Sequence, residues 1–412
     1  MGRNVIVKIS DKIIESGIIF LIIFTPLAFG TVHIWAYTLM ELIVIILLLV
    51  WLFKMAISCK LHFQPSAFSL QPIRNPLTLP LLLFLCLILF QMLPLPPSVI
   101  KRLSPNTYNL YKQTLPGWPT GQESQVISQE SRVKTSDSQI STPDSRLSTN
   151  SWRPLSIYRY ATKTELLKII AYIGLFFLII NNVKTRKQIN RIILAIILVG
   201  CFEAFYGLLE YLSGHQHIFF FKKKYYTDCV TGTYINRNHF AGYLEMVIPL
   251  SLGLSIAQSL NYPITHGGSW RYRLSTLDSW LSTNALLIFA AIIMILSLIF
   301  SQSRMGIFSL LGSLSFMSLM LLISSKRRRK RIIIFISTLA LILILWGTWI
   351  GLNPVLERFS FIPQEYASES GRPVVWKDTI NLIKDFPISG TGLGTYAHVF
   401  PKYKTIKVVS GS

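Results

Sequence analysis

Long apolar stretches separated by short polar segments dominate the chain. Runs of about 20 apolar residues are long enough to cross the hydrocarbon core of a bilayer as helices. The pattern therefore predicts an all-α fold, a polytopic transmembrane helix bundle that crosses the bilayer about nine times. The predicted spans lie near residues 13–30, 36–53, 77–97, 164–182, 189–212, 239–259, 284–301, 305–323 and 332–351.

Composition supports a membrane protein. The chain has 412 residues, of which 51% are hydrophobic and only 14% are charged. A soluble domain has about 25% charged residues, so a soluble core would not accommodate this much apolar sequence.

The net charge of +22 comes from basic residues placed between the apolar stretches. Cytoplasmic loops of membrane proteins carry an excess of Lys and Arg. With the N-terminus in the cytoplasm, most basic segments, including the run Lys326–Arg331, fall inside, whereas the short outer turns at 31–35 and 302–304 hold only Arg304. Because the basic residues are not gathered on a soluble face with readout elements, we expect no nucleic-acid partner.

The spans and the segments between them predict four parts. We expect N-terminal transmembrane helices over 1–97, an outer loop over 98–163, a transmembrane core over 164–351, and the start of a large outer loop over 352–412. Residues 119–151 are rich in Ser, Thr and Gln and nearly lack aromatic residues, which is typical of disorder.

The first candidate motif is GTYINRNHFAGYLEMVIPL at 232–250, where the sixth predicted span begins at the outer face. Four polar residues, Asn236, Arg237, Asn238 and His239, precede the apolar helix. They are candidate substrate-binding residues. The alternative is a helix cap, since Asn is a favoured N-cap residue.

The second motif is SQSRMG at 301–306, the outer turn between the seventh and eighth predicted spans. An Arg at a membrane boundary often extends to the headgroups without further function. Arg304 departs from the positive-inside bias, which favours a functional role.

The third motif covers 370–403, SGRPVVWKDTINLIKDFPISGTGLGTYAHVFPKY. Arg372 and Trp376 are expected to start a short amphipathic helix, which Asp385–Phe386–Pro387 ends. The glycines of GTGLG could suggest a phosphate-binding loop, but no strand precedes them. A bend that packs the loop against a membrane helix is the favoured interpretation.

In their order along the chain, these three motifs and FEAFYGLLEYLSG at 202–214 resemble the O-antigen ligase/polymerase family of bacterial envelope glycan enzymes. The resemblance covers roughly 200–403. It implies a multi-pass inner-membrane glycosyltransferase of lipopolysaccharide and polysaccharide biosynthesis. Such an enzyme moves a glycan from a polyprenyl-pyrophosphate carrier to a hydroxyl of a lipid, glycan or protein acceptor at the periplasmic face.

The resemblance also implies residue roles. Arg304 and Arg372 match the family's arginine positions and are expected to clamp the pyrophosphate, since a bidentate Arg suits that charge. Trp376, Lys222 and Lys223 join the four residues of the 236–239 segment as candidate substrate-binding residues. No cofactor is expected, and no metal site, because the outer loops show no DxD pair and no clustered His and Asp.

Two other functions are compatible with the sequence. A small-anion transporter is suggested by acids in or beside predicted spans, namely Glu41, Glu203, Glu210 and Glu245. A catalytically inactive, truncated membrane protein is the other, because the family's His-containing stretch and the helices after it are not found before Ser412. His398 does not match that stretch, so the sequence predicts a C-terminally incomplete family member.

Overall fold

The computed structural model describes residues 2–59, 76–115, 117–119, 152–215, 217–261, 270–324 and 372–405. The ninth predicted span, at 332–351, lies outside these residues, as does nearly all of the predicted disordered segment. Within them the fold is helical, with one two-stranded antiparallel sheet that pairs His217 with Lys222 and Ile218 with Phe221.

The elements are α1 (Gly2–Leu27), α2 (Ile34–Cys59), α3 (Thr78–Met92), α4 (Pro97–Leu103), α5 (Pro105–Thr114), α6 (Arg159–Asn182), α7 (Arg186–Leu212), β1 (His217–Ile218), β2 (Phe221–Lys222), α8 (Arg237–Asn261), α9 (Trp270–Phe300), α10 (Arg304–Ser324), α11 (Arg372–Asp385) and α12 (Tyr396–Val399).

Five of the described helices are long and apolar enough to cross a membrane, and the chain is a multi-pass membrane protein. They are α2, α6, α7, α8 and α10, and α3 and the apolar part of α9 are shorter apolar helices. Each predicted span that the structure describes falls on a helix, so the all-α prediction is confirmed for these residues. The count of nine spans and the cytoplasmic N-terminus stay predictions.

Helix ends follow local sequence signals. Thr185 and Gln188 form a capping box in which each side chain accepts a hydrogen bond from the other residue's backbone, so α7 begins at Arg186. The predicted span 77–97 is too long, because the helix ends at Met92. The sequence LPLPP follows there, and residues before proline favour extended backbone. The first part of the predicted outer loop 98–163 contains the two short helices α4 and α5.

The chain divides into two compact units. The first comprises Met1–Phe68 and Gly174–Ile362, and the second comprises Ser69–Ile173 and Pro363–Ser412. The core of the first unit lies where α7, α8, α9 and α10 pack together, around fully buried residues such as Phe240, Leu244 and Met294.

Polar contacts identify two opposite ends of the first unit. At one end, which we call the basic end, Lys54 of α2 is 2.5 Å from Asp11 of α1, and Arg191 of α7 is 2.8 Å from Glu15. At the other, the motif end, α1, α7 and α9 finish, and α8 and α10 begin.

Candidate functional site

The first turn of α8 lies at the motif end and is capped by Asn236. The Asn236 Oδ1 accepts a hydrogen bond from the backbone N–H of Asn238 at 2.8 Å, and its carbonyl accepts one from His239 N–H at 3.0 Å. This is the geometry of an N-cap, in which a side chain satisfies a donor that has no partner inside the helix. The cap interpretation of this motif is therefore confirmed for Asn236.

The first turn of α10 is built in the same way. Ser303 caps it, because its Oγ accepts a hydrogen bond from Gly306 N–H at 3.3 Å. The same hydroxyl donates to Asn238 Oδ1 of α8 at 2.9 Å. The two helices also approach closely here, since a Cβ on Gly306 would lie 2.7 Å from the Cβ of Ala241. The starts of α8 and α10 are thus joined by a side-chain hydrogen bond and by direct packing.

The buried turn between α9 and α10 fixes this arrangement. Gln302 has a positive φ of 54°, and its Nε2 donates to the carbonyl of Asp228 at 3.0 Å. Val230 N–H donates to the carbonyl of Phe300, the last residue of α9, at 3.1 Å. The structure therefore brings together the first two sequence motifs, 232–250 and 301–306.

An arginine occupies the first position of each joined helix, Arg237 in α8 and Arg304 in α10. Both side chains are half-buried. The Arg237 guanidinium lies 5.1 Å from the centre of the Tyr226 ring, within cation–π distance. Helix N-termini carry partial positive charge, so two helix ends and two arginines make this part of the motif end favourable for an anion.

Glu203 of α7 supports the segment before α8. It is fully buried, and its carboxylate accepts a hydrogen bond from Thr233 N–H at 2.9 Å and lies 2.6 Å from the Thr233 hydroxyl. The same hydroxyl lies 2.9 Å from the carbonyl of Pro26 in the last turn of α1. Thr233 therefore links three parts of the first unit behind the two helix starts.

Gly232 makes this support possible. Its φ is +55°, and a Cβ there would lie 2.5 Å from the Glu203 carboxylate and 2.7 Å from the Phe240 ring. A side chain at this position would therefore meet both unfavourable backbone conformation and occupied space.

The predicted lysines lie at the β1–β2 hairpin. Lys222 is exposed, whereas Lys223 is half-buried. Burial lowers the pKa of the Lys223 ammonium, and the negative charge of Glu210 partly opposes that effect. The hairpin is anchored to α7, because Phe219 N–H donates to the Tyr206 hydroxyl at 2.7 Å.

The four polar residues of the 236–239 segment differ in their surroundings. The two asparagines are used in hydrogen bonds that cap α8 and join it to α10. His239 is exposed, and Arg237 faces Tyr226. The amide side chains thus hold the helix start in place, whereas the Arg237 and His239 side chains do not take part in these two bonds.

Arg372 and Trp376 belong to the second unit. Arg372 is the first residue of α11, which ends at Asp385 as the sequence predicts, and both side chains are exposed. Asp378 is buried and accepts a hydrogen bond from Thr405 N–H at 2.9 Å. The segment after α11 thereby folds back on the helix.

The glycine-rich turn after α11 packs against residues that precede and begin α6. Gly390, Gly392 and Gly394 all have positive φ. A Cβ on Gly394 would lie 2.5 Å from Glu165 of α6, and Ile157 N–H donates to the carbonyl of Thr391 at 3.0 Å. The prediction of a bend that packs on a membrane helix is confirmed.

Among the residues that the structure describes, no group of three or more His, Cys, Asp or Glu side chains is placed to hold a metal ion. The sequence identifies Glu203 only as an acid in or beside a predicted span and does not reveal its partner Thr233. The available signal was an acid inside an otherwise apolar run, but its partner lies 30 residues away in sequence.

Comparison with known protein families finds a match in the C-terminal part of the chain. Residues 289–410 match the family described as O-antigen ligase. The matched range contains the α9–α10 turn with Arg304 and the α11 segment with Arg372. No curated protein and no solved structure matches the chain. The match confirms the resemblance to the O-antigen ligase/polymerase family over residues 289–410.

Proposed function

We propose that the protein transfers a glycan from a polyprenyl-pyrophosphate carrier to an acceptor hydroxyl at the periplasmic face of the bacterial inner membrane. The match of residues 289–410 to the O-antigen ligase family supports this type of function in general. The donor, the acceptor hydroxyl and the face of the membrane are parts of the proposal.

One observation carries the proposal. The starts of α8 and α10 are joined through Asn238 and Ser303, and each helix begins with an arginine. The partial charges of the two helix N-termini and the charges of Arg237 and Arg304 are proposed to act together on one anion. A pyrophosphate is a compact anion with several acceptor oxygens, and it suits such a site.

The chemistry requires positive charge at the leaving group. The acceptor oxygen attacks the anomeric carbon of the carrier-bound sugar and loses its proton, and the bond from that carbon to the pyrophosphate oxygen breaks. Negative charge then builds up on the departing polyprenyl pyrophosphate. Fixed cations and backbone N–H groups beside that charge lower the barrier. Arg304 is proposed to supply such a charge.

The other candidate residues take supporting roles. Arg237 and His239 are proposed to contact the donor, while Asn236 and Asn238 hold the helix start that presents them. Lys222 and Lys223 of the hairpin are proposed to attract the anionic carrier. Arg372 and Trp376 keep the roles that the resemblance implies, a second pyrophosphate ligand and a substrate contact.

The proposed orientation places the N-terminus in the cytoplasm and the motif end in the periplasm. The basic end of the first unit then meets the positive-inside rule through Lys54, Lys184, Arg186, Lys187 and Arg191. The proposed division into parts 1–97, 98–163, 164–351 and 352–412 follows this orientation. No base is assigned to the acceptor proton.

The test is a transfer assay with purified protein in liposomes that contain a polyprenyl-pyrophosphate-linked oligosaccharide. Lipid A core and a second donor molecule serve as alternative acceptors, and released polyprenyl pyrophosphate is measured. Arg304→Ala and Arg372→Ala are each expected to abolish release. Arg186→Ala is the matched control, because Arg186 also begins a helix after a capping residue but lies at the basic end.

Release that is unchanged in both Arg304→Ala and Arg372→Ala would contradict the arginine roles. No release from the unaltered protein, with small-anion uptake into the same liposomes, would instead support the transporter alternative. No activity of either kind would support an inactive membrane protein. The buried Glu203, one of the acids that suggested a transporter, is already engaged with Thr233.

A further inference from the structure

Helix α11 has three distinct sides along its length. Its buried side contains Asp378 and Leu382, and its exposed polar side contains Lys377, Asn381 and Lys384. A third side is apolar and exposed. It consists of Trp376, Ile380 and Ile383, which are 57%, 52% and 56% exposed and follow the i, i+4, i+7 spacing of one helix face.

A further exposed apolar residue follows the helix. Ile388, three residues after the end of α11, is 82% exposed. Large apolar side chains that lie together on one exposed helix face indicate an apolar environment. Single exposed apolar residues scattered over a surface do not.

The buried side of α11 fixes where the helix lies in the second unit. Leu382 packs with Phe386 and Val399, and Ile157 packs against this cluster. Ile157 lies two residues before the start of α6, a helix long and apolar enough to span a membrane. Helix α11 is therefore attached at the point where α6 begins.

A second apolar helix ends at the same place. Gln91, at the end of α3, donates a hydrogen bond from Nε2 to the carbonyl of Ser389 at 2.8 Å. Thr162 in the first turn of α6 donates to the carbonyl of Leu393 at 2.8 Å. The end of one apolar helix and the start of another mark the level of a membrane–water boundary, and the chain that leaves α11 is bonded to both.

Aromatic residues mark the same level. Trp152, Tyr158 and Tyr160, which surround the start of α6, are exposed. Tyr158 also contacts the ring of His398 with centroids 4.4 Å apart. Exposed Trp and Tyr are enriched where membrane proteins meet the headgroup region.

We propose that α11 lies in the surface of the bilayer, with Trp376, Ile380, Ile383 and Ile388 inserted at the boundary between headgroups and acyl chains. Lys377 and Lys384 then extend from the polar side to anionic headgroups. One consequence rests on the proposed function: Arg372, at the start of this helix, is held at the level of lipid phosphates, where the pyrophosphate of a membrane-bound carrier also lies.

The test measures the depth of nitroxide labels in the full chain, reconstituted in liposomes that contain phosphatidylglycerol. Single cysteines are introduced at Ile380 and Ile383, with Lys377 and Asn381 as matched controls on the polar side. The background lacks Cys59, Cys86, Cys201 and Cys229. Each labelled variant is first required to unfold at the temperature of its unlabelled parent.

Labels at Ile380 and Ile383 are expected to collide more with oxygen than with a water-soluble nickel chelate, and labels at Lys377 and Asn381 are expected to show the reverse. Four labels with equal, water-like exposure to the chelate would overturn the proposal. Shielding of Ile380 and Ile383 from both reagents would also overturn it, in favour of a protein partner such as a second copy. The measurement needs no glycan transfer, so its failure is distinct from failure of the proposed function.

Discussion

Two residues, Glu203 and Gly232, determine how the segment before α8 packs against α7. A carboxylate with no solvent exposure is tolerated only when its oxygens are paired, and Thr233 supplies the paired donors. The sequence indicates that Glu203 is unusual. It does not reveal the pairing, because a contact across 30 residues depends on how α7 packs beside the 230–234 segment.

Replacing Glu203 by Ala is expected to destabilise the first unit by about 1–3 kcal/mol, since it leaves the buried Thr233 N–H without an acceptor. Glu203→Gln keeps an acceptor of nearly the same shape and is expected to cost less. Thermal unfolding in detergent measures both. Glu210→Ala is the control on the same helix, because Glu210 is only partly buried; it accepts a hydrogen bond from His217 N–H at 3.2 Å.

Two glycines with similar backbone conformations allow the cost of backbone strain to be measured apart from the cost of lacking space for a side chain. Gly232 has φ +55° and no room for a Cβ, whereas Gly214 has φ +71° and nothing within 4 Å. Gly214→Ala is expected to cost only about 1–2 kcal/mol from the left-handed conformation. Gly232→Ala adds an overpacking cost of about 1–3 kcal/mol. Equal shifts of the unfolding temperature in the two variants would contradict this account.

At the scale of elements, the sequence pattern predicts which segments are helices better than it predicts where those helices end. Apolar length predicts the membrane helices, and Thr185 with Gln188 marks the start of α7. The prolines after Met92 end α3 earlier than the apolar run suggests. The run stays apolar, but residues before proline disfavour helical backbone. The amphipathic α11 is predicted correctly, but the pattern does not tell which of its apolar residues are buried: Leu382 is, whereas Ile380 and Ile383 are exposed.

The bond between Ser303 and Asn238 is expected to couple α10 to α8. A double-mutant cycle of Ser303→Ala and Asn238→Ala, read from unfolding free energies, should give a coupling of about 0.5–1.5 kcal/mol. The matched cycle pairs Asn238→Ala with Ser309→Ala, an exposed serine on the same helix, and should be additive. Additivity in both cycles would show that the 2.9 Å contact does not join the helices.

Tyr111 is expected to make the second unit less stable as the pH becomes alkaline. Burial raises the pKa of its phenol to about 12, with the Arg153 charge opposing the shift. An unfolded Tyr titrates near pH 10, so above that pH the unfolded state loses its proton first. The stabilisation is therefore complete below about pH 10 and is lost as the pH rises through about 12.

We expect the unfolding temperature to fall between about pH 10 and 12, and Tyr111→Phe to reduce that slope. The variant is also expected to be less stable at neutral pH, because the Tyr111 hydroxyl lies 2.9 Å from the Pro154 carbonyl. Tyr160→Phe is the control, since Tyr160 is exposed. If Tyr111→Phe leaves the pH profile of the unfolding temperature unchanged, groups other than Tyr111 cause the loss of stability at alkaline pH.

At the scale of the whole molecule, the distribution of Lys and Arg predicts which end of the first unit faces the cytoplasm. Cysteines introduced at Lys187 and at Lys222, in a background without the native cysteines, are expected to differ in labelling by an impermeant thiol reagent. In intact cells stripped of their outer membrane, position 222 should react and position 187 should be protected. The opposite pattern would reverse the proposed orientation.

Binding of the pyrophosphate tests the central claim most directly. Farnesyl diphosphate and farnesol share an apolar tail and differ in the anion, and their affinities can be measured for the protein in nanodiscs. The diphosphate is expected to bind more tightly than farnesol, and Arg304→Gln is expected to weaken it by roughly 10- to 100-fold, the effect of losing a charged hydrogen bond. Arg186→Gln should leave it unchanged. Equal binding of diphosphate and farnesol, or equal affinity in the Arg304→Gln variant, would contradict a pyrophosphate site at the joined starts of α8 and α10.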